Sequence, residues 1–354
     1  MKTNLTPRDF RLRTKAIGIT VALGWLAQSP LTHALEIDKV CKKPYAQWQQ
    51  YKASFLSENG RIIDNGNKNI SHSEGQGYGM LMAVYFGDRE SFETLWRWTQ
   101  THLQREQDSL FSWKWQEQPP NVPDENNASD GDVFIAWALL RAFDKWRHQP
   151  YFGDAKAIIT ELQSTQLRSL DDEQVLLPGT IGFEKPHATV VNPAYWVYPA
   201  FNEFVYFGQE WQQVAQSGLR ILGKNQYGGA RLPTDWLQFS RQQWQPADGF
   251  LSEFSYSSYR IPLYLIWGGN QHLLSLKYLD WLEKNNVAWV NLLSGKTANY
   301  APPAGAFAVG ELVQASIVAP SQSSGIHQRV SGQDYYSDSL VLLAHIAYQE
   351  RFCK

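Results

Sequence analysis

At 354 residues the chain has room for one large domain or two ordinary ones, and with 43% hydrophobic and 14% aromatic residues it can fill a sizeable core. Net charge is −2 at neutral pH, with Lys and Arg spread along the chain. That excludes the clustered basic footprint that nucleic-acid binding requires. The fifteen Trp residues are unusually many. Most are expected to pack in the core, leaving a minority whose flat faces can stack on sugar rings.

The N-terminus reads as an export leader. Arg8, Arg11, Arg13 and Lys15 precede the apolar run 16–27, and "THA" at 32–34 ends in a small residue, so the mature chain is expected to begin near Leu35. The apolar run is short for a bilayer span, although an uncleaved anchor is the competing reading. Only Cys41 and Cys353 are present. In an oxidising compartment they invite a disulfide, which requires the two ends of the mature chain to meet, as in a closed ring of helices. Two unpaired thiols are the alternative.

Helical periodicity dominates from there on. Amphipathic or apolar stretches predict helices over 45–56, 76–87, 89–103, 131–148, 154–168, 198–207, 210–224, 258–267, 271–284, 305–315 and 338–351. Residues 110–130 are expected to hold a short hairpin, because Trp113 and Trp115 alternate with polar residues. Eleven or twelve helices joined by uneven loops imply an all-α ring with long loops on one face. No dinucleotide fingerprint, Walker loop or zinc spacing appears.

Two stretches carry ionisable residues at the entrance to apolar runs. In "SHSEGQGYGMLMAVYFGD" (71–88), Glu74 precedes Gly75, Gly77 and Gly79 and then a charge-free segment. In "NNASDGDVFIAWALLRAFDKW" (126–146), Asp130 and Asp132 flank Gly131 directly before Val133–Ala136. A helix cap from Asn127, Ser129 or Asp130 accounts for one of these acids but not for the pair. Carboxylates in such places fit the polar floor of a cleft. His72, two residues before Glu74, is a candidate hydrogen-bond partner there.

The second stretch resembles, along its whole length, the signature of glycoside hydrolase family 8. "SEGQGYGM" (73–80), "NPAY" (192–195) and "LPTDW" (232–236) resemble further family segments in the expected order. The resemblance implies an (α/α)6 barrel for residues 35–354, with residues 1–34 as the leader. It also implies inverting hydrolysis of β-1,4-glucan, most like periplasmic endoglucanases of bacterial cellulose-synthesis systems. The mechanism needs no cofactor and no metal. By resemblance Glu74 is the general acid, its pKa raised by burial in a dry pocket, with the glycines behind it removing bulk so that a sugar chain can approach, and Asp130 is the second active-site carboxylate, holding and distorting the sugar ring. Tyr78, Trp113, Trp115, Asp132, Tyr195, Trp236, Ser257 and Arg260 are the expected substrate-binding residues, with Asp132 read also as fixing the loop or pairing with a cation and Tyr78 as either packing or hydrogen bonding in the cleft. Expected partners are the glucan chain and the cellulose synthesis and export machinery, for a periplasmic or secreted monomer.

The pattern breaks once. Where family members carry Tyr-Asp-Ala-x-Arg-x-Pro, this chain has "YSSYRIP" (256–262), so Ser257 stands where the catalytic base is expected. Asp130, then Glu253, are the candidate replacement bases, with Ser257 orienting the water. The alternatives are a weakly active or non-catalytic glucan binder, and a relative acting on xylan, chitosan or mixed-linkage glucan.

Overall fold

The computed structural model describes residues 41–318 and 322–353, so the expected leader and the start of the mature chain lie outside the described residues. Eleven α-helices run through them: α1 (Tyr45–Phe55), α2 (Ser73–Phe86), α3 (Arg89–Leu103), α4 (Ser129–Trp146), α5 (Gln149–Thr165), α6 (Tyr198–Phe204), α7 (Glu210–Lys224), α8 (Arg260–Trp267), α9 (Leu273–Asn285), α10 (Ala304–Ile317) and α11 (Tyr335–Phe352). Helices α2, α4, α6, α8, α10 and α11 form an inner ring in which each packs on the next and α11 returns to α2. Helices α1, α3, α5, α7 and α9 lie outside, each against an inner neighbour. This is the expected (α/α)6 barrel. Between α10 and α11 the described residues hold no outer helix.

The sequence pattern explains which helices go inside. In α8, "RIPLYLIW", every residue is buried, as an inner helix with neighbours all round requires. In α7 only Trp211, Val214, Ser217, Gly218, Ile221 and Leu222 are buried, a single stripe at helical spacing. The first helix-boundary surprise is α2. It starts at Ser73, so the alternating glycines lie inside its first two turns rather than ahead of it. The predicted 154–168 helix instead starts at Gln149 with Pro150 in its first turn, and it gives way to a strand after Thr165. Predicted helix 198–207 ends at Phe204 and continues as a 3₁₀ turn.

Short strands sit in the loops. β1 (Ser71–His72) pairs with β2 (Lys114–Trp115), and β3 (Leu167–Leu170) forms a hairpin with β4 (Glu173–Leu176). Strands β5 (Glu184–Lys185), β6 (Ala188–Val191), β7 (Leu237–Ser240) and β8 (Gln243–Pro246) make an antiparallel sheet, and β9 (Glu253–Phe254) pairs with β10 (Val290–Asn291). The hairpin expected within 110–130 is therefore not formed as such. Its strand pairs with the segment leading into α2, while its two arms are joined by a Ser112–Asn127 bridge and by the Trp113 and Gln116 N–H groups donating to the Asn126 and Asn121 carbonyls. The two ends do meet: Cys41 and Cys353 are disulfide-bonded.

Candidate active site

The beginnings of the inner helices gather at one end of the ring. Glu74 is the second residue of α2, Asp130 the second of α4, and Arg260 the first of α8. Helix N-termini carry partial positive charge, which favours carboxylates there. Packing at this end is tight. A Cβ on Gly131 would lie 2.1 Å from Ser73 Oγ and 2.7 Å from the Glu74 nitrogen, so only glycine lets α4 approach α2 here. The glycines behind Glu74 serve the same purpose. A Cβ on Gly77 would meet Phe134 Cβ at 2.5 Å, and one on Gly75 the Tyr335 hydroxyl at 2.6 Å. They clear space for neighbouring helices, not for a sugar chain.

Glu74 stands at the mouth with its side chain 18% exposed, ion-paired through Oε1 to Nη1 of Arg260. Tyr78, one turn along, donates its hydroxyl to the same oxygen at 2.7 Å. With that proton committed, Tyr264 must donate to Tyr78 across their 2.7 Å contact, giving a chain Tyr264 to Tyr78 to Glu74. The expected dry, solitary carboxyl is thus instead a partly wet group oriented by a cation and a phenol. Tyr78 is only 3% exposed, so it positions Glu74 rather than contacting substrate as expected. His72 caps α2, its Nδ1 accepting from the Gly75 N–H at 3.1 Å. Its remaining nitrogen faces Asp64 at 3.5 Å.

Asp130 is 2% exposed. Its Oδ2 accepts from Arg260 Nη1 at 3.0 Å and its Oδ1 from the Gly131 N–H at 2.9 Å. Burial, together with the nearby Asp132, pushes its carboxyl up to about 8, against the pull of the Gly131 bond. Asp132 is fully buried, one oxygen accepting from the Phe111 N–H at 2.9 Å and the other from the Asn127 amide at 2.7 Å. Both oxygens are spent on the 111–127 loop, so of the two expected roles for Asp132 the structure shows the loop-fixing one and not contact with substrate. Nor do Asn127, Ser129 or Asp130 cap α4. Its N-cap is Ala128, with no side-chain bond.

Ser257 Oγ lies 3.5 Å from Arg260 Nη2, and its carbonyl accepts from Arg260 Nε at 3.2 Å. The turn that carries it is held from beneath by a residue the sequence reading passed over. Asp235 is buried and accepts from the Ser255 and Ser258 N–H groups at 3.2 and 3.1 Å, and from both hydroxyls. Burial raises its pKa despite those four bonds. The available signal was two serines three residues apart opposite an acid in "LPTDW". Glu253 sits on β9, its carbonyl accepting from the Asp235 N–H at 2.7 Å, while its side chain makes no hydrogen bond or ion pair among the described residues.

The aromatic candidates divide. Tyr195, in the 3₁₀ turn before α6, faces the Arg260 guanidinium at 5.6 Å. Trp236 stacks between Phe183 (5.9 Å) and Phe250 (4.6 Å) and meets Tyr195 edge-on at 6.2 Å. All four rings are partly exposed. Trp113 is partly exposed, its indole nitrogen held by Asp124 at 2.8 Å and its carbonyl bonded to the Ser73 N–H beside Glu74. Trp115 turns away. It packs on Trp98 at 5.5 Å beneath the Arg61 guanidinium, so its expected stacking role is corrected to wall packing. The rings of Tyr256 and Tyr336 meet at 5.3 Å, with exposed Tyr300 beside them; sequence reasoning missed Tyr300 and Tyr336.

Paired acids at a partly open mouth, flanked by exposed flat rings, are the furniture of carbohydrate hydrolysis. The sequence profile described as Glycosyl hydrolases family 8 matches residues 20–350. The chain belongs to this family. Among relatives of this family 8 member, a protein of Novacetimonas hansenii described as a probable endoglucanase is 37% identical over 322 residues, 87% of this chain and 92% of that one. An endoglucanase of Cellulomonas uda is 34% identical over 273 residues, covering 75% and 76% of the two chains. The solved structure of the family 8 endoglucanase Cel10 from Klebsiella pneumoniae superposes with a TM-score of 0.80 at 34% identity, over 86% of this chain and 99% of that one. Family 8 membership thus joins the barrel and its cluster of acids to glycoside hydrolysis.

Proposed function

We propose that this family 8 glycoside hydrolase is an exported endo-β-1,4-glucanase that cleaves cellulose or soluble β-1,4-glucan, acting in the periplasm or outside the cell during cellulose production or export. Glu74 is the general acid. It is the ionisable group at the mouth that is partly exposed and also fixed in orientation, by Tyr78 and Arg260, and this observation carries the reading. Asp130 and Arg260 form the polar floor that would hold the sugar ring next to the scissile bond. Tyr195, Trp236, Phe183 and Phe250, all partly exposed, supply a run of apolar surface for its neighbours.

Asp130 does not suit the role of water-activating base. It shares one guanidinium nitrogen with Glu74, which keeps the two acids within two hydrogen bonds of each other. Inverting chemistry leaves about 6.5–9.5 Å between acid and base for the water.

The test is release of reducing ends from carboxymethyl cellulose by the purified protein. Glu74→Gln is expected to lower the rate by about 10²–10⁴-fold with the thermal transition retained. A Glu74→Gln variant as fast as the native chain sinks the proposal. Fractionating cells that express the full chain checks export.

A further inference from the structure

We infer that the outward face of the β5–β8 sheet is a distal binding groove for the far end of the same glucan chain, reached from the acids by a continuous row of rings. This rests on the β-glucan reading above and extends it beyond the catalytic cleft. The row is traceable contact by contact. Arg260 faces Tyr195 at 5.6 Å, Tyr195 meets Trp236 at 6.2 Å, Trp236 stacks on Phe250 at 4.6 Å, and the Lys185 amine lies 5.7 Å from the Phe250 ring. Lys185 then lines a groove of about 1020 Å³ with Gln238, Arg241, Gln243, Gln245 and Asp248.

Strand register makes this groove polar. Gln238 pairs with Gln245, and Ser240 with Gln243, while the alternate pairs are Leu237 with Pro246 and Phe239 with Trp244. Successive side chains point to opposite faces, so one face carries the amides and the other the apolar residues. Gln238 is 2% exposed and locks the floor, donating to Asp248 Oδ2 at 2.8 Å and accepting from the Asp248 N–H at 3.1 Å. The side chains of Lys185, Gln243 and Gln245 are exposed and have no hydrogen-bond partner among the described residues. Amides both donate and accept, which matches the hydroxyl-rich edge of a sugar chain. The hairpin tip has a further peculiarity. Arg241 and Gln242 adopt φ of 50° and 59° where glycine or asparagine is usual. Such backbone persists where the surroundings hold it, and functional loops are where it collects.

A Lys185→Ala/Gln243→Ala/Gln245→Ala variant tests this on surface positions that leave the core intact. Migration through a gel containing hydroxyethyl cellulose, a neutral polymer, reads binding without charge effects. Retardation is expected to fall well below that of the native chain. The ratio of kcat/KM on that polymer to kcat/KM on cellotetraose, too short to reach the groove from the acids, should fall about fivefold, the worth of roughly one hydrogen bond. Native-like retardation and ratio overturn the groove while leaving the glucanase reading intact. Equal losses on both substrates also overturn it, as a structural effect. A native chain that neither cleaves nor is retarded by any β-1,4-glucan overturns both.

Discussion

At the scale of single residues, the decisive position is Ser257. A hydroxyl has no useful basicity at neutral pH, and no carboxylate other than Glu74 and Asp130 contacts Arg260 among the described residues. Both of those are committed to other tasks. Water activation is therefore the weakest part of this site, and general-base assistance is worth about 10²–10⁴-fold. The scaffold for a base is nonetheless intact, because Asp235 still pins the 255–258 turn against Arg260. We expect Ser257→Asp to raise kcat on soluble glucan by about 10²-fold, read as reducing-end release. An unchanged rate would mean that the native chain activates water through another group. The role proposed for Glu74 was legible from the sequence because a motif carried it. Its partnership with Arg260 was not, since 186 positions separate them and only the barrel brings them together.

At the scale of elements, the outer helices were readable because burial on one side leaves a stripe at helical spacing, as in α7. Inner helices such as α8 show no stripe and were found as apolar runs instead. Short strands escaped notice. β6 and β7 are four residues each and come from distant parts of the chain, too short for a period of two to register. The α2–α4 interface was misread in purpose rather than in place. Its glycines permit close helix contact, so Gly77→Ala would drive a methyl group toward Phe134 Cβ and the Ile135 backbone nitrogen at 2.5 and 3.0 Å. We expect that variant to lose about 1–3 kcal/mol of stability, measured as a lower urea midpoint. A native midpoint would show that the two helices can move apart freely.

At the scale of the molecule, closure of the ring depends on the chain ends. Helix α1 packs between α11 and α2, and the Cys41–Cys353 bond ties the segment before α1 to the end of α11. The linked cysteines are 312 positions apart, and constraining so long a loop in the unfolded chain is worth about 2–5 kcal/mol. A Cys41→Ser/Cys353→Ser variant should melt earlier than the oxidised native chain. Its kcat at low temperature should be retained, because the bond lies at the C-terminal end of α11, a helix about 27 Å long whose other end, at Tyr335, lies beside Gly75 and the acids. Equal melting temperatures would show that the closure stands on helix packing alone.

By itself, the sequence determined the helical content, the apolar inner segments, the family motifs and the absence of a carboxylate at position 257, because each is written in neighbouring residues. Only the tertiary structure decided that Cys41 meets Cys353, that one guanidinium serves both acids, that Trp115 packs on Trp98 while Trp236 stays partly exposed beside Tyr195, and that strands from distant segments make one sheet. Local burial leaves a periodic trace along a chain. Which distant surfaces meet depends on how whole helices pack, and no short window of residues records that.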